Sequence, residues 1–219
     1  MAISPTSTSR LDVWTRRITR WLGRLVYGIS KHWLLVTNAA IALYAGLPLL
    51  APLLMHRGHT AAGRVLYLIF GPLCHQLPER SFFLFGPRLV YSLEELVQRS
   101  GLDPLPLRYI GNASIGWKTA VCQRDVAIYV VMLITGILFG LLGRRFKPLP
   151  LRGFVALIVP MAVDGMGQLV HLWSSTWLTR VVTGGLFGVA CVLLTFPHIN
   201  RGMAEVRQST NPAAWEQPL

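Results

Sequence analysis

Apolar positions along this chain gather into long runs, with the polar positions between them rather than alternating with them. The first run, residues 33–54, is 22 residues long, carries no charge and has only Thr37 and Asn38 polar. At about 1.5 Å of rise per residue, such a helix crosses a hydrocarbon core of about 30 Å. It is too long for a signal-peptide core and no small-residue cleavage site follows, so it is expected to stay as an anchor. Three further runs with little or no charge occupy 126–142, 154–173 and 181–196. A weaker run, 65–77, is broken by Gly71-Pro72 and is too short to cross unaided. Ahead of the first span, Trp14, Ile18, Trp21 and Leu25 recur at helical spacing among Arg16, Arg17, Arg20 and Arg24. That pattern predicts an amphipathic helix lying in the membrane interface.

Composition agrees. Of 219 residues, 53% are hydrophobic and 14% charged, against about 25% charged in ordinary soluble domains. The mean hydropathy is +0.48. The fold class expected is all-α: an integral membrane bundle of four transmembrane helices, a broken re-entrant or interfacial segment, and an N-terminal amphipathic helix. Gly136-x-x-x-Gly140 and Gly184-x-x-x-Gly188 each put two glycines on one face, which lets a neighbouring helix approach closely.

Charge sets the orientation. The chain carries 21 Lys+Arg against 9 Asp+Glu, a net +12. The basic residues crowd beside the apolar runs, as anchoring to an anionic inner leaflet requires, and no soluble basic domain interleaved with stacking aromatics exists to bind nucleic acid. The N-terminal segment, the Arg144, Arg145, Lys147, Arg152 cluster and the tail with Arg201 and Arg207 all belong inside by the positive-inside rule. This requires four crossings with both termini cytoplasmic in a multi-pass cell-membrane protein. The expected organisation is then a basic tail and interfacial helix over 1–32, a membrane domain over 33–196 and a cytoplasmic tail over 197–219. Within the membrane domain, 78–125 forms an outer loop. A homo-oligomer or a membrane-complex partner is compatible with so small a bundle.

Three polar constellations could carry chemistry. Cys74 and His75, followed by Gln76 and Arg80, sit where the broken run ends. Cys122, Arg124, Asp125 and Tyr129 open the next span, with Cys122 and Asp125 one helical turn apart. Cys74, His75, Cys122 and Asp125 make a four-ligand set of two sulfurs, one nitrogen and one oxygen, suited to zinc or iron. The bland alternative is a Cys74–Cys122 disulfide in an oxidising compartment, marking a structural or accessory subunit. Arg80 and Arg124 would bind an anion or pair with Asp125 and Asp164. In the third constellation, Asp164, Gln168 and His171 stand at i, i+4 and i+7 and are expected on one helix face. An acid at mid-span is costly unless paired or protonated. These three are therefore the catalytic candidates for an enzyme acting on a lipid or quinone, or else an interhelical cluster such as Asp164 with Arg124. G-x-S-x-G, H-E-x-x-H and Walker A patterns are absent.

These residues resemble a family of small bacterial and archaeal predicted membrane proteins of unknown function. Its Cys-His-Gln-x-x-x-Arg-Ser-Phe segment is matched by Cys74 to Phe82, and its Cys-x-Arg-Cys-x-x-x-Tyr segment by Cys122, Arg124 and Tyr129. Pro160, Asp164, Gly165 and Gln168 match a third motif; Arg180, Thr183, Gly184 and Gly188 match a fourth. Two departures stand out: Asp125 replaces the second Cys of its motif, and an insertion around 87–120 contains Ser92-Leu93-Glu94-Glu95-Leu96. A Cys-to-Asp exchange keeps a metal ligand but destroys a redox dithiol. The resemblance implies no established activity.

Overall fold

The computed structural model describes residues 10–142 and 146–211, with side chains from residue 14 onward. The expected tail at 1–9, Arg144 and Arg145, and the end of the C-terminal segment lie outside these residues. Among the described residues the fold is mostly helical, and three helices are long and apolar enough to cross a membrane.

Helix α1, Arg10–His56, joins the expected amphipathic segment and the first apolar run into one rod. The join is a kink at His32, whose φ of −110° and ψ of 15° leave the helical region. Before the kink, Trp14, Ile18, Trp21, Leu22 and Leu25 are exposed, a face that only a lipid interface or a partner would cover. Helix α2, Thr60–Phe70, folds back against the end of α1, with Gly63 seated on Met55 and Ala51. Its 11 residues are too few to cross a bilayer. Val65, Leu68, Ile69 and Leu73 on and just after it are exposed apolar groups.

The remaining helices are α4, Gln123–Leu141; α5, Leu151–Leu169; and α6, Trp177–Ser209. Their glycines define how they run. A Cβ placed on Gly184 would lie 2.8 Å from the Arg124 carbonyl oxygen, and one on Gly188 would lie 2.6 Å from that of Ile128. The partners advance in the same direction, so α4 and α6 are parallel, backbone against backbone along the small-residue stripe. Gly136 faces Asn38 and Gly140 faces Leu34, the opposite order, so α1 is antiparallel to α4. Helix α5 runs back between the two ends. Leu149, just before it, donates its N–H to Leu193 near the far end of the bundle, while Gly165 sits beside Arg124 at the near end.

Two prolines hold neighbouring segments by what they lack. Pro52 has no N–H for the carbonyl of Pro48, and that oxygen instead accepts from Ala120 N–H at 3.1 Å. Pro197 likewise frees the Leu193 carbonyl for Leu149 N–H at 3.1 Å. In a low-dielectric bundle a freed carbonyl must find a donor, so each proline fixes a junction.

Residues 71–122 form a cap over one end of the bundle. It adds a small sheet to the helical fold: β1, Phe83–Leu84, β2, Gly111–Asn112, and β3, Gly116–Lys118, are antiparallel in the order β1-β3-β2. Strands of two or three residues are too short to show alternation. Helix α3, Leu93–Ser100, starts at a capping box in which Ser92 and Glu95 each accept the other's backbone N–H. Phe83, Tyr91, Leu96 and Ile115 bury a small core of their own, so the insertion is a packed unit.

Candidate metal centre and its surroundings

Cys74 follows α2, and its N–H still bonds to the Phe70 carbonyl at 3.0 Å, a last turn that aims the side chain at α4. Cys122 is the N-cap residue of α4, and Asp125 lies in that helix's first turn. The three meet: Cys74 Sγ, Cys122 Sγ and an Asp125 carboxylate oxygen all lie within 4.8 Å of one another. Cys122 N–H donates to Cys74 Sγ at 3.3 Å, and the Cys122 thiol donates to Asp125 Oδ2 at 3.3 Å. Contact with the Cys122 thiol holds Cys74 below the usual thiol range, helped by the Gln76 backbone N–H. The same contact, with burial, pushes Cys122 up. Of the two sulfurs, Cys74 is therefore the one that ionises more readily.

Of the four expected ligands, the structure brings three together. His75 is exposed and stands outside the group, in a shallow cleft with Leu107 and Arg108. The cause is the backbone: Gln76 has φ of 55°, a turn that reverses the chain directly after His75. Gln76 itself is fully buried and donates to the Tyr67 carbonyl at 2.7 Å, a structural role. Tyr129 packs against Tyr44 with ring centroids 4.1 Å apart and the planes tilted by 44°, just beneath the Cys/Asp group.

Lys118 is the residue that sequence reasoning missed. It is fully buried in β3 and donates to the Gln76 carbonyl. Burial pulls its ammonium down to about 8, while the nearby Cys74 and Glu79 act in the opposite direction. No periodicity marks a lysine that a short strand turns inward, so only the fold reveals it.

The Asp164 cluster lies at the same end of the bundle. Asp164 is buried and ion-paired with Arg124. Its carboxylate also accepts from Ser175 Oγ at 2.9 Å, Gln168 Nε2 at 3.1 Å and Trp173 Nε1 at 3.4 Å. With donors on both oxygens, the carboxylate joins α4, α5 and the α5–α6 connection as an interhelical clamp. His171 departs from the expected helical face, because α5 ends at Leu169. It takes φ of 57°, with its N–H bonded to the Gln168 carbonyl and Leu172 N–H to the Gly167 carbonyl. That pair of bonds is a Schellman stop with histidine in the usual glycine position. Its side chain is exposed but lines one cleft with Gln168, Arg80 and Arg124.

Residues 113–194 match the profile of a family described as "Predicted membrane protein (DUF2085)". An uncharacterized protein of Methanocaldococcus jannaschii is 28% identical over 177 residues, covering 77% of this chain and 93% of that relative. No solved structure matches. Over residues 113–194 the chain is thus similar to a family of predicted membrane proteins of unknown function, and over most of its length to an uncharacterised archaeal protein.

Proposed function

We propose that this is a four-span membrane protein whose cap faces outward and whose Cys74, Cys122 and Asp125 hold a divalent metal ion at the outer membrane interface. The observation that carries the metal reading is the meeting of two sulfurs and one carboxylate, from segments 48 residues apart, within 4.8 Å. Spacing of that order suits one tetrahedral ion of borderline softness, zinc or iron. A divalent ion with two thiolates and a carboxylate leaves one negative charge in excess, and the buried Lys118 ammonium beside Cys74 balances it. The fourth position is open to water or a ligand, or to His75 after a local change.

The topology has its own support. Parallel α4 and α6 require the chain to return between them, and α5, 19 residues long, is the element that does so. Its polar residues are Arg152, Asp164 and Gln168, and Asp164 is paired with Arg124. Lys31, Lys147, Arg152, Arg201 and Arg207 all belong to the end opposite the cap, which suits a cytoplasmic side. Helix α2 would then dip into the outer leaflet with its exposed Val65, Leu68 and Ile69 in lipid.

A second reading rests on the same contact. Cys122 N–H already touches Cys74 Sγ, so oxidation would yield a disulfide and an accessory or structural subunit. The ion pair and three further hydrogen bonds of Asp164 support a role in holding the bundle rather than in moving protons. Elemental mass spectrometry of protein purified in mild detergent without chelators, with thiol titration under denaturing conditions, separates the readings. The metal reading expects about one zinc or iron per chain and three free thiols. No metal with one free thiol would replace it by the disulfide.

A further inference from the structure

A second site lies beside the metal candidate, with Cys122 on the wall between them. Arg80, from a 3-10 turn at Pro78–Arg80, Arg124, from the first turn of α4, and Arg180, from the first turn of α6, converge on a cleft with Gln168. Its inner part, about 70 Å³, is lined by all three arginines, Gln168 and Cys122. Its outer part, about 330 Å³, shares Arg80, Arg124 and Gln168 and adds Gly165, Leu169 and His171.

The charges do not close. Three guanidiniums meet one carboxylate, Asp164, which pairs with Arg124. Arg180 is 8% exposed, yet its hydrogen bond goes to the neutral Gln123 Oε1 at 3.1 Å. The Nε atoms of both Arg124 and Arg180 are buried with no partner. Two positive charges in excess, one of them buried, call for an anion of matching charge. Donors arriving from three elements suit a tetrahedral group with three free oxygens better than a planar carboxylate.

We propose that this cleft binds a phosphate group through Arg80, Arg124 and Arg180, with Gln168 as a further donor. Gly165 keeps the floor open: a Cβ there would meet only Arg124, at 3.7 Å, so a larger side chain would fill the cleft without a backbone clash. Leu169 and Leu172, 72% and 71% exposed, flank the mouth with apolar surface. The phosphate can therefore be a lipid headgroup whose tails lie along that surface, or free phosphate from the aqueous side.

The test uses the full chain, delipidated in detergent, with two probes: inorganic phosphate followed by calorimetry, and phosphatidic acid in nanodiscs followed by native mass spectrometry. The expected result is one saturable site for at least one probe, weakened at least tenfold by Arg80→Gln and by Gly165→Leu. Both variants leave Arg124, Asp164, Gln123 and Arg180 themselves unsubstituted, and circular dichroism of each checks that the fold is retained. Arg57→Gln, an exposed charge removal outside the cleft, should bind like the wild type. Binding of phosphatidic acid alone identifies a headgroup, and binding of inorganic phosphate identifies a free anion. No saturable binding of either probe, or equal binding by Arg80→Gln and Gly165→Leu, overturns the proposal. Metal content does not enter, so the site stands or falls separately from the metal centre.

Discussion

Asp164 accepts from four side chains, and Arg124 has no other acid among the described residues. Asp164→Asn would preserve the shape while leaving the partly buried Arg124 guanidinium without its counter-charge. Breaking one partner of a buried pair costs about 3–5 kcal/mol. The variant should therefore unfold well below the wild type by circular dichroism, and the double variant Arg124→Met, Asp164→Asn should regain part of the loss. A single variant as stable as the wild type would contradict the clamp. Lys118 makes a prediction with the other sign. Its folded-state value is about 8 against 10.5 when free, so between these pH values the unfolded chain binds more protons. Stability then rises with pH through that window, because the cost of burying the ammonium disappears. In metal-free protein, the Tm of the wild type should climb relative to Lys118→Met from pH 8 to 10.5, and a flat difference would remove the buried cation from the account.

At the scale of elements, the contacts that matter are backbone approaches. Gly188→Leu would drive a side chain into the Ile128 carbonyl, 2.6 Å from where its Cβ must lie, and separate α4 from α6. Gly46→Leu, on an α1 position with nothing within 4 Å, is the control. The first should abolish a monodisperse folded species in size-exclusion chromatography and the second should not. Pro52→Ala restores an N–H that competes for the Pro48 carbonyl. Ala120 would then lose its acceptor, a cost of about 1 kcal/mol, with faster hydrogen exchange at that amide. The long apolar runs and the glycine pairs were readable from sequence because lipid forces spans into continuous stretches. The cap was not, since its strands are two or three residues long and its core is four side chains. In the site, Cys74, Cys122 and Asp125 stood out by type and spacing. His75 was misplaced by a positive φ at its neighbour, His171 by a helix stop without glycine, and Lys118 left no trace at all.

At the scale of the molecule, a cationic end, a lipid-facing stem and a packed cap with a chemically mixed cluster beneath it form one directional object. Single cysteines placed across 55–64 and 88–108 should react with impermeant reagent from outside the cell, and labelling from the cytoplasm would invert the topology. The central claim is the metal centre beneath the cap. X-ray absorption at the zinc edge of the zinc-loaded full chain tests it most directly. Two sulfur scatterers at about 2.3 Å with oxygen or nitrogen at about 2.0–2.2 Å are expected, falling to one sulfur in Cys74→Ser. A shell of oxygen and nitrogen alone, or a spectrum unchanged by Cys74→Ser, would contradict it.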